Sequence, residues 1–536
     1  MIRLNNFSVP LDYTDASLRT LVEKKLSLRP SQLLSLSVFR RSIDARDRRD
    51  VHFVLSIDLE AREEAVLLRK YHFLIPVSPP SPLPLPSASF RRPPLVVGAG
   101  PAGLFAALTL ARAGANPVLI ERGKSVEKRT RDVEALASEG CLNPESNVQF
   151  GEGGAGAFSD GKLTCGIKSP FLREVLETFV AHGAPPEILT DQKPHIGTDR
   201  LKGVVASIRR EIIHLGGSVL FETRLENLLL HDHQVVGALV SHHGEPREIS
   251  ADAVLLCIGH SARDTAASLF AQGVTMERKP FAMGVRIEHP RTLIDRSQYG
   301  SFAGHPALGA ASYKLVCHTP DGRGVYTFCM CPGGYVIQAA SEPGGVAVNG
   351  MSFHARDGEN SNSALLVGVR PEDFGGGDAD PLAGFDLQRS IEKAAYQAAG
   401  RTYRAPAQRV ADFLARRETV AFGEVQPTCL PGVVPSELDA VLPAFITDNL
   451  RQGIRAMDAQ LRGFALPDAV LTAPETRSSS PVRLLRGPSG EAEGFSGLYP
   501  VGEGAGYAGG IVSSAVDGIT AARHALEHHT SSGRAL

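Results

Sequence analysis

"LVVGAGPAGLFAALTLARAGANPVLIERG", residues 95–123, reads as a strand, a glycine turn, a helix and a second strand in quick succession. Gly98, Gly100 and Gly103 form G-x-G-x-x-G directly behind the apolar run 95–97, and an alanine-rich stretch of helical character follows. In that setting Gly98 permits the tight turn, Gly100 lets a pyrophosphate approach the backbone, and Gly103 lets the helix pack against the strand. Pro101 and Ala102 open the helix, whose first N–H groups and positive dipole end suit phosphates. Glu121 closes the second strand 18 residues past Gly103, followed by Arg122. An acid at that place accepts from an adenosine ribose hydroxyl. The stretch predicts the first half of a Rossmann-like dinucleotide-binding α/β domain.

A second glycine cluster lies near the other end of the chain, in "GLYPVGEGAGYAGGIVSSAVDG", residues 497–518. It reads as a strand over 497–501, then Gly502-Glu503-Gly504, a glycine turn, and a helix from about 511. Glu503 stands at the carboxyl end of a strand, where large flavoproteins use an acid to accept from a ribitol hydroxyl. Gly509, Gly510 and Ile511 open the helix, whose positive end suits negative charge on a reduced flavin. The two clusters are therefore expected to hold opposite halves of one FAD in a domain discontinuous in sequence. "ADAVLLCIGHSA", 251–262, is an apolar strand ending in Gly259, the expected return of the chain past the dinucleotide.

"FGEGGAGAFSDGKL", 150–163, also matches G-x-G-x-x-G through Gly151, Gly153 and Gly156, but no apolar helical period follows. It reads as a loop rich in free N–H groups, with Gly153, Gly154, Ala155 and Gly156 expected against the cofactor. Ser159 and Asp160 add polar contacts, and Lys162 is placed to stabilise negative charge on the flavin; a structural or phosphate-side loop is the other reading. His260 is a candidate acid near the flavin or a structural hydrogen-bonder. Arg477 and Arg483 flank a serine run and suit an anion clamp or an ordinary surface loop. Cys329 and Cys331, two apart, would share one face of a strand. C-x-C without a second Cys/His pair is poor metal spacing, and no metal is expected.

The remaining organisation is coarser. Residues 1–77 read as a small α/β domain, 78–94 as a proline-rich linker, and 95–280 as the first part of the FAD domain. Residues 281–440 read as an inserted, largely antiparallel substrate domain, and 441–536 as the C-terminal part of the FAD domain. Across 536 residues the net charge is −2, with 43% hydrophobic and 21% charged residues, which gives no electrostatic reason for a nucleic-acid or membrane partner. The N-terminus lacks a signal-peptide pattern, and seven cysteines, an odd number, argue against a disulfide framework. Both point to the cytoplasm. A small-molecule substrate is expected, and residues 1–77 are available to recruit a protein partner.

Taken in order, "VVGAGPAGLFAA", "FGEGGAGAFSDGKL", "KPFAMGVRIEHP", "YTFCMCPGGYVIQAASEPGGVAVNGMS", "APETRSSSPVRL" and "LYPVGEGAGYAGGI" make the chain resemble the uncharacterised FAD-dependent dehydrogenases of bacteria and plastids. These belong to the flavoproteins with two dinucleotide folds. The resemblance spans most of the chain and implies tight non-covalent FAD, a glutathione-reductase-like nucleotide domain and an appended substrate domain. It is similar, more remotely, to flavin-dependent reductases of alkenes or ketones. The expected function is hydride transfer between a small molecule and flavin N5. The alternatives are a flavin monooxygenase and an FAD-binding protein without catalysis. No second β-α-β fingerprint is present, so NAD(P)H, if it is the electron donor, has to bind in the pocket near 281–360.

Overall fold

The computed structural model describes residues 1–78, 83–377 and 379–531. Three-residue apolar strands build its central parallel sheet, in the order Leu498–Pro500, Val254–Leu256, Leu95–Val97, Val118–Ile120, Ser218–Leu220. The inner runs are apolar throughout because both faces are covered, while one edge strand begins at the exposed Ser218. Val96, Leu119, Leu255 and Tyr499 point to one side, where they join the core of helices Pro101–Arg112, Thr198–His214 and Ile511–Ser531. Leu95, Val97, Val254, Leu256 and Leu498 point to the other, against an antiparallel meander of Thr223–His231, Gln234–His242 and Glu245–Ser250. The result is the three-layered, Rossmann-like α/β fold expected. The C-terminal strand occupies one sheet edge, so the domain is discontinuous in sequence.

A second sheet of seven strands carries the rest of the core. Its order is Val316–His318, Gly324–Cys331, Asn360–Val369, Phe281–Pro290, Val470–Glu475, Ala405–Arg409, Val433–Pro435. Helix Ala444–Gln460 packs on it through Ile446, Leu450, Ile454 and Met457. The boundary expected at 440 is therefore corrected: Val470–Glu475 pairs antiparallel with Phe281–Pro290, and the chain rejoins the parallel sheet only at Leu498. The two layers are fastened by a buried ion cluster. Arg263, beside the parallel sheet, and Arg477 both donate to Glu392 of helix Ala383–Ala398 at 2.8 Å. Burial alone would push the Glu392 carboxyl up, but Arg477 and Arg263 outweigh it and hold it well below the usual carboxylate range.

Residues 1–76 form a β-α-β-β-α-β unit whose antiparallel sheet runs Leu33–Asp44, His52–Ala61, Ile2–Val9, Leu74–Pro76. Helix Asp15–Leu26 buries Leu18, Val22 and Leu26 on this sheet, a four-residue spacing that the sequence displays directly. Of the expected linker, residues 79–82 lie outside the described residues. Pro84 accepts from Arg523 at 2.6 Å and the Phe90 ring lies 4.3 Å from His529, so the following segment lies along the C-terminal helix. Among the described residues, no helix is long and apolar enough to cross a membrane.

Candidate functional site: a cavity between the two sheets

The carboxyl ends of the parallel strands and the seven-stranded sheet enclose a cavity of about 510 Å³. Both glycine clusters reach it. Gly98, Gly100, Pro101 and Ala102 line it from one side, and Glu503, Gly509, Gly510 and Ile511 from the other. Gly98 has φ +101°, and a β-carbon there would lie 2.4 Å from the Cys257 carbonyl oxygen. Only glycine makes this turn. Gly103 does not line the cavity; it sits behind the turn, where the helix touches the strand end, as its expected packing role requires. Gly502 also stands back, against Ala102.

No side chain caps helix Pro101–Arg112. Its first free amides, those of Ala102 and Gly103, therefore have no acceptor from a capping side chain. Glu121 is more heavily used than its position suggests. Its Oε2 accepts from the Ala99 amide at 2.8 Å, and its Oε1 from Gly123 and Gly151 at 2.9 and 3.0 Å. The carboxylate ties the first glycine turn to the 147–156 loop and still lines the cavity. Arg122, beside it, is held by Glu145 and Asp264 at 2.9 Å each.

That loop is pinned by a residue the sequence did not single out. Arg129, fully buried, donates to the carbonyls of Asn147, Val148, Gly151, Glu152 and Gly154 at 2.7–3.2 Å. Gly154, Ala155 and Gly156 are thereby set at the cavity wall, whereas Gly153 turns away toward Ala157 and Val205. A β-carbon on Gly156 would lie 3.1 Å from Ile511, so the loop meets the second glycine cluster as well as the first.

Lys162 lines the cavity with its ammonium 3.4 Å from Asp160 and 3.7 Å from the Cys331 sulfur. Burial opposes its charge, but Asp160 together with the Cys331 and Cys329 sulfurs outweighs burial and holds the lysine above its ordinary range. Asp160 also accepts from Arg356 at 2.6 and 3.0 Å and from the Ser352 hydroxyl. Glu503 has Lys279 as its cationic neighbour, and burial pushes its carboxyl up to about 7. Gly259 and His260 line the cavity near Arg477. Burial, then Arg477 and Arg263, bring the imidazole down to about 3. His260 thus carries no extra proton at neutral pH, which corrects its reading as an acid.

Two further expectations change. Arg483 does not reach the cavity: it pairs with Glu277 at 3.0 Å, so no clamp forms with Arg477. Cys329 and Cys331 both line the cavity but do not share a face. The strand bulges between Phe328 and Cys331, Cys329 takes φ +40°, and its side chain is exposed while Cys331 is buried. Cys329 is open only toward the cavity, and desolvation by the surrounding walls pushes its thiol up to about 11, away from a reactive thiolate.

The residues fit FAD on their own geometry. An uncapped helix N-terminus faces the space beside Gly100, and a β-carbon on Gly259 or Gly509 would meet nothing within 4 Å. At the far end lies a partly buried acid suited to accept from a hydroxyl.

Comparison with known proteins agrees with that fit. A family model described as an FAD binding domain matches residues 92–134, and one described as FAD-dependent protein, C-terminal domain-like, matches 280–478. Residues 1–60 match a domain of unknown function. An uncharacterised Clostridium beijerinckii protein is 46% identical over 531 residues, 98% of each chain. Similar solved structures include quinol fumarate reductase of E. coli, 14% identical over 83% of this chain and 71% of that one, TM-score 0.36. A geranylgeranyl bacteriochlorophyll reductase-like protein of Thermoplasma acidophilum is 14% identical over 83% and 80%, TM-score 0.34. With both halves of its cofactor cavity accounted for, the chain belongs to the same family as the Clostridium beijerinckii protein, a family of flavoproteins whose cofactor is FAD.

Proposed function

We propose that this chain is an FAD-dependent oxidoreductase that moves a hydride between a small organic substrate and the flavin. One observation carries the reading. The cavity bounded by both glycine clusters continues, without a dividing wall, to polar residues of the seven-stranded sheet, among them Lys162, Asn349 and Glu475. Bound FAD supplies a group that accepts and returns a hydride. The chain supplies position and charge. The free amides of Ala102 and Gly103 and the amino end of helix Ile511–Ser531 suit the anionic parts of the cofactor. Lys162, kept charged by Asp160, places a cation beside the loop expected at the ring. The Arg263–Glu392–Arg477 cluster holds the two layers together.

The test is an absorption spectrum of the purified protein, followed by anaerobic addition of NADH, then NADPH. The visible bands of oxidised flavin, bleached by one donor, support the reading. Steady donor consumption in air with peroxide release would move it to a monooxygenase. A flavin that no donor or organic substrate reduces would remove the catalytic reading altogether.

A further inference from the structure

Resting on that reading, we propose that the substrate is anionic and is held by a carboxylate or phosphate group between Lys193, Arg356 and Lys162. Charge around the cavity is matched at one end and unmatched at the other. Near the first glycine turn, Arg122 is paired with Glu145 and Asp264, and Arg224 with Glu145 and Glu226. At the seven-stranded sheet, four cations line the wall: Lys162, Lys193, Lys314 and Arg356. Asp160 is the carboxylate they have, and Arg356 and Lys162 share it. Glu475 is taken by the buried Arg286. Lys193 and Lys314 are in no ion pair among the described residues; Lys193 has only the Ser312 hydroxyl, at 3.0 Å.

Four cations against one carboxylate leave three positive charges in excess along one wall, where Lys162 and Arg356 are half-buried and Lys193 and Lys314 are exposed. Such a surplus of one sign on a cavity wall draws an anion to it. Partial desolvation and then Arg356 hold the Lys193 ammonium below the ordinary lysine range. The neighbouring His195, brought down to about 4 by burial and Arg356, adds no charge of its own.

The N-terminal unit takes part in this site. Residues 190–192 join the edge of its sheet. The Arg41 amide donates to the Thr190 carbonyl at 2.7 Å and the Gln192 amide to the Arg41 carbonyl at 2.9 Å, while the Arg41 guanidinium holds Asp191 at 2.9 Å. Lys193 is the next residue, so Arg41 is a positioning residue for it.

The experiment titrates the FAD-loaded protein at constant ionic strength with malonate, with inorganic phosphate and with neutral malonamide. It reads the shift of the flavin bands and the melting temperature. The expected result is saturable binding of malonate or phosphate, whichever carries the right anion, and none of malonamide. Lys193→Gln should weaken that binding about tenfold, the weight of one charged hydrogen bond. Lys193→Arg should restore part of it, and Arg41→Ala, outside the cavity, should weaken it while leaving the flavin spectrum unchanged. Equal response to malonamide, or anion binding indifferent to both Lys193→Gln and Lys314→Gln, overturns the proposal. Intact flavin bands without anion binding would sink this inference and leave the oxidoreductase reading standing. Anion binding to a flavin that nothing reduces would do the reverse.

Discussion

A β-carbon on Gly518 would lie 2.1 Å from the carbonyl oxygen of Ala102, so the C-terminal helix crosses the first cofactor helix at backbone contact. This crossing brings the two glycine clusters to one cavity. Because the obstacle is backbone, Gly518→Ala cannot be relieved by a rotamer change. It should cost about 1–3 kcal/mol through overpacking and separate the two cofactor-facing helix ends. Melting followed by flavin fluorescence should show release at lower temperature than in the parent. An unchanged release temperature would mean the helices do not set the site.

Arg129 offers a second test. Its guanidinium satisfies five buried carbonyls of the 147–154 loop, and burial brings it down only to about 10, so it stays charged at neutral pH. Arg129→Leu leaves those carbonyls without their donor, at roughly 3 kcal/mol or more. The loop should become the first site of limited proteolysis, and FAD affinity should fall. Arg129→Lys, with one donor group in place of a fork, should recover little. Full protection of the loop in Arg129→Leu would contradict the role given to this arginine.

What could be read from the sequence was local. Gly98, Gly100 and Gly103 stand within six residues and act through the turn they make, so spacing alone located them. The same holds for Gly509 and Gly510 ahead of their helix. Arg129 was hidden because an arginine in "EKRTRDVE" looks like a solvated helix face, and its five acceptors come from the loop that follows the helix. Val470–Glu475 belongs to the seven-stranded sheet only through pairing with Phe281–Pro290, a long-range fact that local pattern does not carry. The bulge at Cys329 broke the period-two assumption that put both cysteines on one face. Lys193 and Arg356 look like surface charges until the fold turns them to one cavity.

Glu503 gives a pH prediction with a definite sign. Its carboxyl rises from the ordinary 4.5 to about 7 on burial, so between those values the folded chain holds a proton that the unfolded chain has released. Stability from this group is therefore largest at low pH, falls as pH rises through that window, and is constant above it. Glu152 and Glu288, also pushed up to about 7 by burial, act in the same direction. In FAD-depleted protein, Glu503→Gln should remove about 2 kcal/mol of the difference between the two ends of the window. A melting temperature with the same pH slope in parent and variant would show that Glu503 is ionised throughout.

The proton on His260 is fixed by a chain of hydrogen bonds that ends on a carbonyl. The Ala339 oxygen can only accept, so the Gln149 amide nitrogen donates to it at 3.3 Å, and Gln149 Oε1 is left to accept from the Ser261 hydroxyl at 3.2 Å. Ser261, its proton spent, must accept from His260 Nδ1 at 3.0 Å. The imidazole, neutral because burial brings it down to about 3, therefore keeps its Nε2 lone pair free. Nitrogen NMR of labelled protein should find Nδ1 protonated and Nε2 bare, unchanged between about pH 5 and 8. Gln149→Leu removes the acceptor, lets the Ser261 hydroxyl donate to Nδ1 instead, and should move the proton to Nε2. A flavin-reduction pH profile free of a histidine limb should accompany the first state, since this imidazole stays neutral across that range. Detection of an imidazolium at neutral pH, or a tautomer indifferent to Gln149→Leu, would break the chain at its first link.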